Sequence, residues 1–245
     1  MTDPLVIIPF RPDSPERSDA LGWVKRRWKQ RGCVPIISTD RNEHPWCKAA
    51  AIDHAIKFLS RGEMPEQIII GDADCWTDRI GKDTVPLLNE WHDWGTPHRR
   101  VVRLSREYTR QIIVNDEWPE LDRSNVEEWP YTALRAAGGV VILKREVWDR
   151  VPMDPRFLGW GFEDIAWWYA LRTLVGIPWR GKADLFHLWH PRQESMDRTE
   201  RSINGNPANA ELAERYIKAL HRPVQMQEIV DEAKAALGSS ASRSG

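Results

Sequence analysis

Three short apolar runs, each followed by a polar break, set the strongest limit on how this chain can fold. They are LVIIPF (5–10), VPIISTD (34–40) and QIIIGDADCW (67–76). Two stretches of helical character, 14–32 and 45–62, lie between them. Apolar strands that alternate with helices are typical of a parallel sheet with helices on both faces. The sequence therefore predicts an α/β fold built on a Rossmann-like, mostly parallel sheet.

The helix ends and the strand ends support this order. Ser14 can cap the first helix, Pro15 suits its first turn, and Gly32 and Gly62 follow the two helices. The polar segments PFRP, STD and DAD come directly after the three strands. Ligands of such sheets bind outside the carboxyl ends of the strands, so we expect these segments to border one crevice.

The second half of the chain is less regular. The pattern predicts a helix at 83–94, a strand at 99–105, and an apolar run with a helical turn within 131–151. A helix from about Glu163, a strand at 183–191 that Pro191 stops, and a helix at 210–221 follow. The polar loop 192–209 is predicted to order over a bound ligand. The Ser/Gly-rich end, 238–245, is predicted to be a disordered tail.

Composition narrows the class of protein. A chain of 245 residues makes one large domain, or one domain with an appendage, and its net charge of -1 gives no global basic field for nucleic acid. The sequence contains no 18-residue apolar run and no basic leader, so we predict no membrane span. Three cysteines without CxxC spacing favour reduced thiols and a cytoplasmic location. Among the 14 tryptophans, four in polar surroundings are candidates to line a ligand cleft: Trp46, Trp76, Trp160 and Trp189.

Asp72 and Asp74 directly follow the third strand. Residues i and i+2 of a strand point the same way, so the two carboxylates face one spot. They repel each other unless a cation lies beside them. A turn in which one aspartate caps the following helix through a backbone N–H is the structural alternative. The position after an apolar strand favours a site for a hard cation.

The motif HLWH places His187 and His190 after a strand. Residues i and i+3 of a straight strand face opposite ways, so both can bind one ion only if the chain turns near Pro191. A purely structural role for either histidine is the alternative. Carboxylate and imidazole ligands together suit Mn²⁺ as well as Mg²⁺ or Zn²⁺.

The segment FLGWGFED (157–164) is the third candidate. Gly159 and Gly161 allow a ligand to approach the backbone, and Trp160 can stack on a sugar ring. Asp164, partly desolvated beside that indole, can serve as a general base for a hydroxyl group. The alternative is that these acids only stabilise a helix N-terminus.

Basic residues near the strand ends can meet phosphate groups, although each taken alone is as well explained as a surface charge. They are Arg11, Arg17 and Lys48. The basic stretch 98–110 is interpreted as a strand with a solvated charged face.

Together these segments resemble the GT-A class of nucleotide-sugar glycosyltransferases, in particular the branch with the β-1,4-galactosyltransferases, the polypeptide N-acetylgalactosaminyltransferases and the chondroitin polymerases. The resemblance covers about 5–195 and rests on the ordered motifs VIIPFR, WCKAAAID, GDADCW, GGVVILKREVW, FLGWGFEDIAWW and HLWH. It implies one GT-A domain at 1–237. Its parts would be a nucleotide-sugar half (about 1–115), an acceptor half (about 116–200) and C-terminal helices (208–237).

The resemblance also implies roles for single residues. Asp74 would bind the metal, Asp72 would contact the ribose or sugar of the donor, and Asp164 would be the catalytic base. His190 would be the downstream metal ligand, and His187 takes a position that also ligates in some relatives. The nucleotide would be lined by Arg11, Asp40, Trp46 and Lys48. The donor sugar and the acceptor would be placed by Trp160, Gly139 and Glu163.

The implied reaction is hexosyl transfer from a nucleotide diphosphate sugar, with UDP expected, to an acceptor hydroxyl, with inversion and with Mn²⁺ (or Mg²⁺) as cofactor. The acceptor stays open among a glycan, a protein side chain, a lipid-linked sugar and a modified nucleobase of a nucleic acid. Cys47 and Asp53 stand where the family often has asparagine, and the membrane anchor of the animal relatives is absent from this sequence.

Two other functions remain as alternatives. A phosphohydrolase of the haloacid dehalogenase type also runs an apolar strand into DxD, but its nucleophile strand normally comes first, and it leaves GWGFED and HLWH unexplained. A carbohydrate-binding protein that kept the fold without catalysis would not need metal, base and nucleotide residues together.

Overall fold

The computed structural model describes residues 4–40, 45–59, 65–78, 80, 88, 91–132, 135, 137–191 and 207–241. The strands in these ranges are β1 (Leu5–Pro9), β2 (Ile36–Ser38), β3 (Gln67–Gly71), β4 (Cys75–Trp76), β5 (Trp94–Arg103), β6 (Tyr131–Thr132), β7 (Val140–Lys144) and β8 (Trp179–His187). The helices are α1 (Pro15–Gln30), α2 (Lys48–Leu59), α3 (Arg106–Asn115), α4 (Arg145–Arg150), α5 (Glu163–Leu174), α6 (Pro207–Lys218) and α7 (Pro223–Ala241).

These strands form one sheet in the order β2-β1-β3-β7-β5-β8-β4, with β6 beside β5. β1 runs parallel to β2 and β3, and β5 runs parallel to β8. β7 is antiparallel to β3 and β5, and β4 is antiparallel to β8. The predicted α/β fold with a largely parallel sheet is confirmed. The first three strands bring their carboxyl ends to one edge, as expected.

Alternating side chains of β1 enter two cores on the two faces of the sheet. Val6 and Ile8 pack with Trp23 of α1 on one face. Leu5 and Ile7 belong to the core on the other face, together with residues of α2, α5, α6 and α7. The strand is apolar throughout because helices cover both of its faces. The capping prediction for α1 is also confirmed, since Ser14 Oγ accepts a hydrogen bond from the backbone N–H of Arg17.

Several boundaries differ from the sequence-based prediction. Trp76 does not line a cleft, because it is fully buried and packs edge-on against Trp28 with ring centroids 5.4 Å apart. Trp94, the last residue of the helix predicted at 83–94, begins β5 instead, and most of that helix falls outside the described residues. β8 starts at Trp179 and ends at His187, short of the predicted end at 191.

The last helix extends into the segment that the sequence predicted to be a tail. α7 runs to Ala241 and so includes residues that the sequence assigned to the tail, whereas 242–245 are outside the described residues, as is most of the predicted lid loop 192–209. No helix in the described part of the chain is both long and apolar enough to cross a membrane. All three cysteines are free. The domain boundaries and the cytoplasmic location stay predictions.

Candidate functional site

The loop after β3 is tied to two other strands, and this tie brings the candidate residues together. The backbone N–H of Asp72 donates to Gly139 O at 2.7 Å, and the Gly139 N–H donates to Asp72 Oδ2 at 2.9 Å. Gly139 has a φ of +72°, which a residue with a side chain rarely adopts. The N–H of Leu188, just past β8, donates to Asp74 O at 2.8 Å. Both halves of the chain therefore meet at the two aspartates.

Asp74 is a buried carboxylate that faces two imidazoles. Its Oδ2 lies 3.3 Å from His190 Nε2, and its Oδ1 lies 3.8 Å from His187 Nε2. The thiol of Cys75 donates to Oδ1 at 3.5 Å. Burial alone would raise the pKa of Asp74, but the surrounding groups, among them the guanidinium of Arg17, outweigh it and hold that pKa below its usual range. The carboxylate is therefore ionised.

The two imidazoles turn their Nε2 atoms toward Asp74. His190 Nδ1 lies 3.0 Å from Pro191 O, and this contact orients the ring. Burial lowers the pKa of His187 to about 4, against the opposing effect of Asp74, so this ring is neutral at pH 7.

The donor set fits a divalent cation. Two ligand atoms, each about 2.1 Å from one ion and at right angles to each other, lie about 3 Å apart. The 3.3 Å between Asp74 Oδ2 and His190 Nε2 is close to that separation. Asp74, Cys75 and His187 also form a cluster of possible ligand atoms within 4.8 Å of one another. A carboxylate together with imidazole nitrogens suits Mn²⁺ and its neighbours in the first transition row.

Lys48, at the start of α2, joins the two sides of the site. Its Nζ lies 2.8 Å from Asp72 Oδ1 and 3.0 Å from Asp164 Oδ1. The side chain is 11% exposed. Burial would lower the pKa of Lys48, but Asp164, Asp72 and Glu163 raise it well above its usual value, so the ammonium stays charged. The structure thus connects a residue predicted on the donor side with the predicted base.

Asp164 lies in the first turn of α5, next to Glu163. Burial raises the pKa of Asp164 to about 8, with Glu163 and Asp72 adding to the rise and Lys48 opposing it. Burial also raises the pKa of Glu163, whose carboxylate accepts a hydrogen bond from Gly161 N at 3.1 Å. Gly138 approaches Asp164 so closely that a Cβ there would lie 2.1 Å from Asp164 Oδ2. The raised pKa and the close packing together describe a carboxyl group held in a fixed position in the site.

Arg11, Asp40 and Trp46 form a separate group at the ends of β1 and β2. Arg11 Nε donates to Asp40 Oδ1 at 3.0 Å, and its guanidinium lies 5.5 Å from the centre of the Trp46 ring. Asp40 Oδ2 accepts from the N–H of Cys47 at 2.9 Å, just before α2 begins. Asp40 is thus buried, pairs with Arg11 and fixes the start of α2. Trp46 is half-buried.

Trp160 lies between positive-φ residues, with Gly159 at +73° and Gly161 at +105°. Its ring stacks on His190 at 6.4 Å between centroids, so the acceptor-side segment touches the metal-side motif. Gly159 N–H donates to Trp46 O at 2.7 Å, which connects the same segment to the donor side. The three motifs therefore form one continuous site.

Two members of this site were not among the sequence-predicted site residues. Arg17, considered from the sequence only as a phosphate contact or a surface charge, is 5% exposed, and its Nε donates to Asp74 Oδ2 at 3.1 Å. Its position in the first turn of α1, close after the PFRP segment, was the available signal. Cys75 carried no signal of its own, since only its pairing with His187 across β4 and β8 turns its thiol toward Asp74.

Comparisons with known proteins bear on the fold. No protein-family model and no curated protein matches the sequence. The chain is similar to the catalytic domain of Drosophila β1,4-galactosyltransferase 7 in complex with xylobiose, with a TM-score of 0.50, 16% identity, and coverage of 86% of this chain and 79% of that one. GalNAc-T7 with UDP, GalNAc and Mn²⁺ gives a TM-score of 0.48 at 13% identity, covering 88% of this chain and 42% of that one.

A third solved structure is the mannosyltransferase PcManGT from Pyrobaculum calidifontis with GDP-Man and Mn²⁺. Its TM-score is 0.37 at 14% identity, with coverage of 96% of this chain and 74% of that one. At these identities the likeness concerns the fold, and it is the galactosyltransferase domain that carries it. The chain therefore has the GT-A glycosyltransferase fold that its ordered sequence motifs predict.

Proposed function

We propose that this chain is a divalent-cation-dependent glycosyltransferase that moves a sugar from a nucleotide diphosphate sugar, with UDP the expected nucleotide, to an acceptor hydroxyl. The observation that carries the proposal is the pairing of two centres in one site. Asp74 faces two imidazole nitrogens, and Lys48 connects the neighbouring Asp72 to Asp164. The structures of similar fold named above are glycosyltransferases, which agrees with this assignment.

In this proposal Asp74, His190 and His187 hold the cation, Mn²⁺ in the first instance and Mg²⁺ as the alternative. When bound, the ion neutralises charge on the diphosphate leaving group. Arg11, Asp40, Trp46 and Lys48 line the nucleotide, and Asp72 contacts the ribose or sugar of the donor. Trp160, Gly139 and Glu163 place the donor sugar and the acceptor.

Asp164 acts as the general base. Its carboxylate takes the proton of the acceptor hydroxyl while the hydroxyl oxygen forms a bond to the anomeric carbon. The bond from that carbon to the diphosphate oxygen breaks, and the electron pair leaves with the nucleotide diphosphate. A single displacement of this kind inverts the anomeric configuration. The raised pKa of Asp164 suits the role, because a stronger base accepts the proton more readily.

The test is a panel of nucleotide sugars with Mn²⁺ and pooled glycan, peptide and lipid-linked acceptors, read by nucleotide release and donor binding. Asp74→Asn should abolish metal-dependent donor binding. Asp164→Asn should keep donor binding and lower transfer by about 10²- to 10⁴-fold, the usual contribution of a general base. Asp184→Asn is the matched control, because Asp184 pairs with Arg100 away from the site. Transfer by Asp164→Asn at the wild-type rate would disprove the base assignment.

The same panel, extended with phosphomonoesters and a readout of inorganic phosphate, separates the alternatives. A phosphohydrolase of the haloacid dehalogenase type would release inorganic phosphate from the phosphomonoesters and would need no sugar acceptor. In this chain the DxD strand is the third, not the first. A non-catalytic carbohydrate-binding protein would bind a donor or glycan and release no nucleotide.

A further inference from the structure

Arg17 is the positive charge that lies against the candidate metal ligand Asp74. Its Nε donates to Asp74 Oδ2 at 3.1 Å, and its Nη1 donates to Asp13 Oδ2 at 2.7 Å. The Arg17 side chain is only 7% exposed and that of Asp74 only 4%. Oδ2 is also the oxygen that lies 3.3 Å from His190 Nε2. A guanidinium therefore bonds the same oxygen that faces the imidazole.

Trp160 holds the guanidinium in this position. The Cζ atom of Arg17 lies 4.3 Å from the centre of the Trp160 ring, well within the range of a cation–π contact. The same ring stacks on His190 with an interplanar angle of 29°. Arg17, Trp160 and His190 thus form a stack around Asp74. A change at Asp74 Oδ2 therefore alters the two groups, Arg17 and His190, that contact the Trp160 ring.

We propose that Arg17 is an internal counter-cation that competes with the divalent ion for Asp74, so that ion binding displaces its guanidinium from Oδ2. This inference rests on the proposed metal site. The displaced guanidinium keeps a partner, because its Nη1 bonds Asp13, whereas the bond to Asp74 is made by Nε.

The competition follows from charge and burial. A buried carboxylate without a counter-charge is costly, so Arg17 stabilises the ion-free protein by neutralising Asp74. The divalent ion repels the guanidinium and needs the oxygen to which Arg17 donates. Arg17 therefore lowers the affinity of the protein for the ion when no nucleotide is present. Replacing Arg17 with a neutral side chain should raise that affinity by roughly tenfold, the effect of about 1.4 kcal/mol.

The experiment is calorimetric titration of Mn²⁺ into the nucleotide-free protein, for the wild type, Arg17→Met and Arg106→Met. Methionine keeps the aliphatic bulk against Trp160 and removes the charge. Arg106 is the matched control, because it also stacks on a tryptophan, Trp189 of the HLWH motif at 4.8 Å, but pairs with Glu16 and not with Asp74. We expect the dissociation constant to fall about tenfold for Arg17→Met and less than about twofold for Arg106→Met.

An unchanged or weaker affinity of Arg17→Met for Mn²⁺ would overturn the inference. An equal gain in Arg106→Met would also overturn it, since the effect would then be one of general charge. If the wild type itself binds no Mn²⁺, the proposed metal site fails first, and that result is distinguishable from a failure at Arg17 alone.

Thermal unfolding with and without Mn²⁺ covers the case in which Arg17→Met is unstable. Because the ion takes over the role of the guanidinium, Mn²⁺ should raise the melting temperature of Arg17→Met more than that of the wild type. A variant that folds only with Mn²⁺ supports the inference. A variant that stays unfolded at saturating Mn²⁺ contradicts it.

Discussion

Gly138 offers a way to move the proposed base without touching the proposed metal ligands. A Cβ at this position would lie 2.1 Å from Asp164 Oδ2 and 2.7 Å from its Cγ, whereas ordinary contact begins at about 3.4 Å. In Gly138→Ala the Asp164 carboxylate must therefore shift by about 1.3 Å. A shift of this size separates Asp164 from Lys48 Nζ, now 3.0 Å away.

The magnitude follows from the geometry. A misplacement of about 1 Å can cost a catalytic step about 100-fold, which is about 2.7 kcal/mol of barrier. Folding should change little, because the atom that moves is the end of a flexible side chain and Lys48 keeps its ion pair with Asp72, so the loss is about 1 kcal/mol. We thus expect a melting temperature within about 4 °C of the wild type.

The assay is nucleotide release with the donor and acceptor identified by the panel, together with Mn²⁺ titration. Gly138→Ala should lower turnover about 100-fold and leave Mn²⁺ affinity within about twofold. Gly22→Ala is the control, because the added Cβ lies on α1 and meets only the end of Arg26 at 3.8 Å. Turnover of Gly138→Ala at the wild-type level, or a parallel loss of Mn²⁺ binding, would refute the idea that Gly138 acts through Asp164.

Three further predictions concern stability. Burial lowers the pKa of His98 to about 3, so between pH 6.5 and 3 the unfolded chain binds a proton that the folded chain does not. The free energy of unfolding should therefore decrease as the pH is lowered, by about 2 kcal/mol from this residue between pH 7 and 5. In His98→Asn, the free energy of unfolding measured with urea should fall by about 2 kcal/mol less over the same pH range. Asn209 of α6 forms three hydrogen bonds to Leu158 and Gly161, so Asn209→Ala should cost about 2–4 kcal/mol by thermal unfolding, against under about 1 kcal/mol for the exposed Asn115→Ala. Tyr216→Phe removes the hydroxyl that donates to buried Asp154 Oδ2 at 2.8 Å and should cost about 1–2 kcal/mol in urea unfolding, and an unchanged midpoint would contradict it.

The strand–helix alternation of the first 76 residues was predictable because apolar runs, caps and glycines are local signals. β1, α1, β2, α2 and β3 lie close to their predicted positions. The second half was less predictable, since β7 and β8 insert into the sheet by long-range pairing. Trp76 shows the limit most clearly: its polar sequence neighbours suggested a cleft, but the packing of α1 against the sheet buries its ring.

In the site, the order of the motifs predicted that these side chains belong to one site, and the structure gathers them into two groups: Asp74 with His187 and His190, and Lys48 with Asp72 and Asp164. The strand geometry invoked for Asp72 and Asp74 does not apply, because β3 ends at Gly71 and residues 73 and 74 lie in a turn. The partners of these groups were not predictable from spacing. Lys48 bridges Asp72 and Asp164 over 24 and 116 positions, and Arg17 reaches Asp74 over 57 positions. Such pairs depend on the tertiary fold, so the sequence pointed to Arg17 and Lys48 as possible phosphate or nucleotide contacts but not to their carboxylate partners.

The most direct test is a crystal structure with Mn²⁺ and UDP, with anomalous scattering used to locate manganese. The account predicts one anomalous peak about 2.2 Å from Asp74 Oδ2 and from His190 Nε2, with the UDP diphosphate on its open side. A manganese peak elsewhere, or UDP bound away from the ends of β1 and β3, would contradict the proposal that these residues form the donor site.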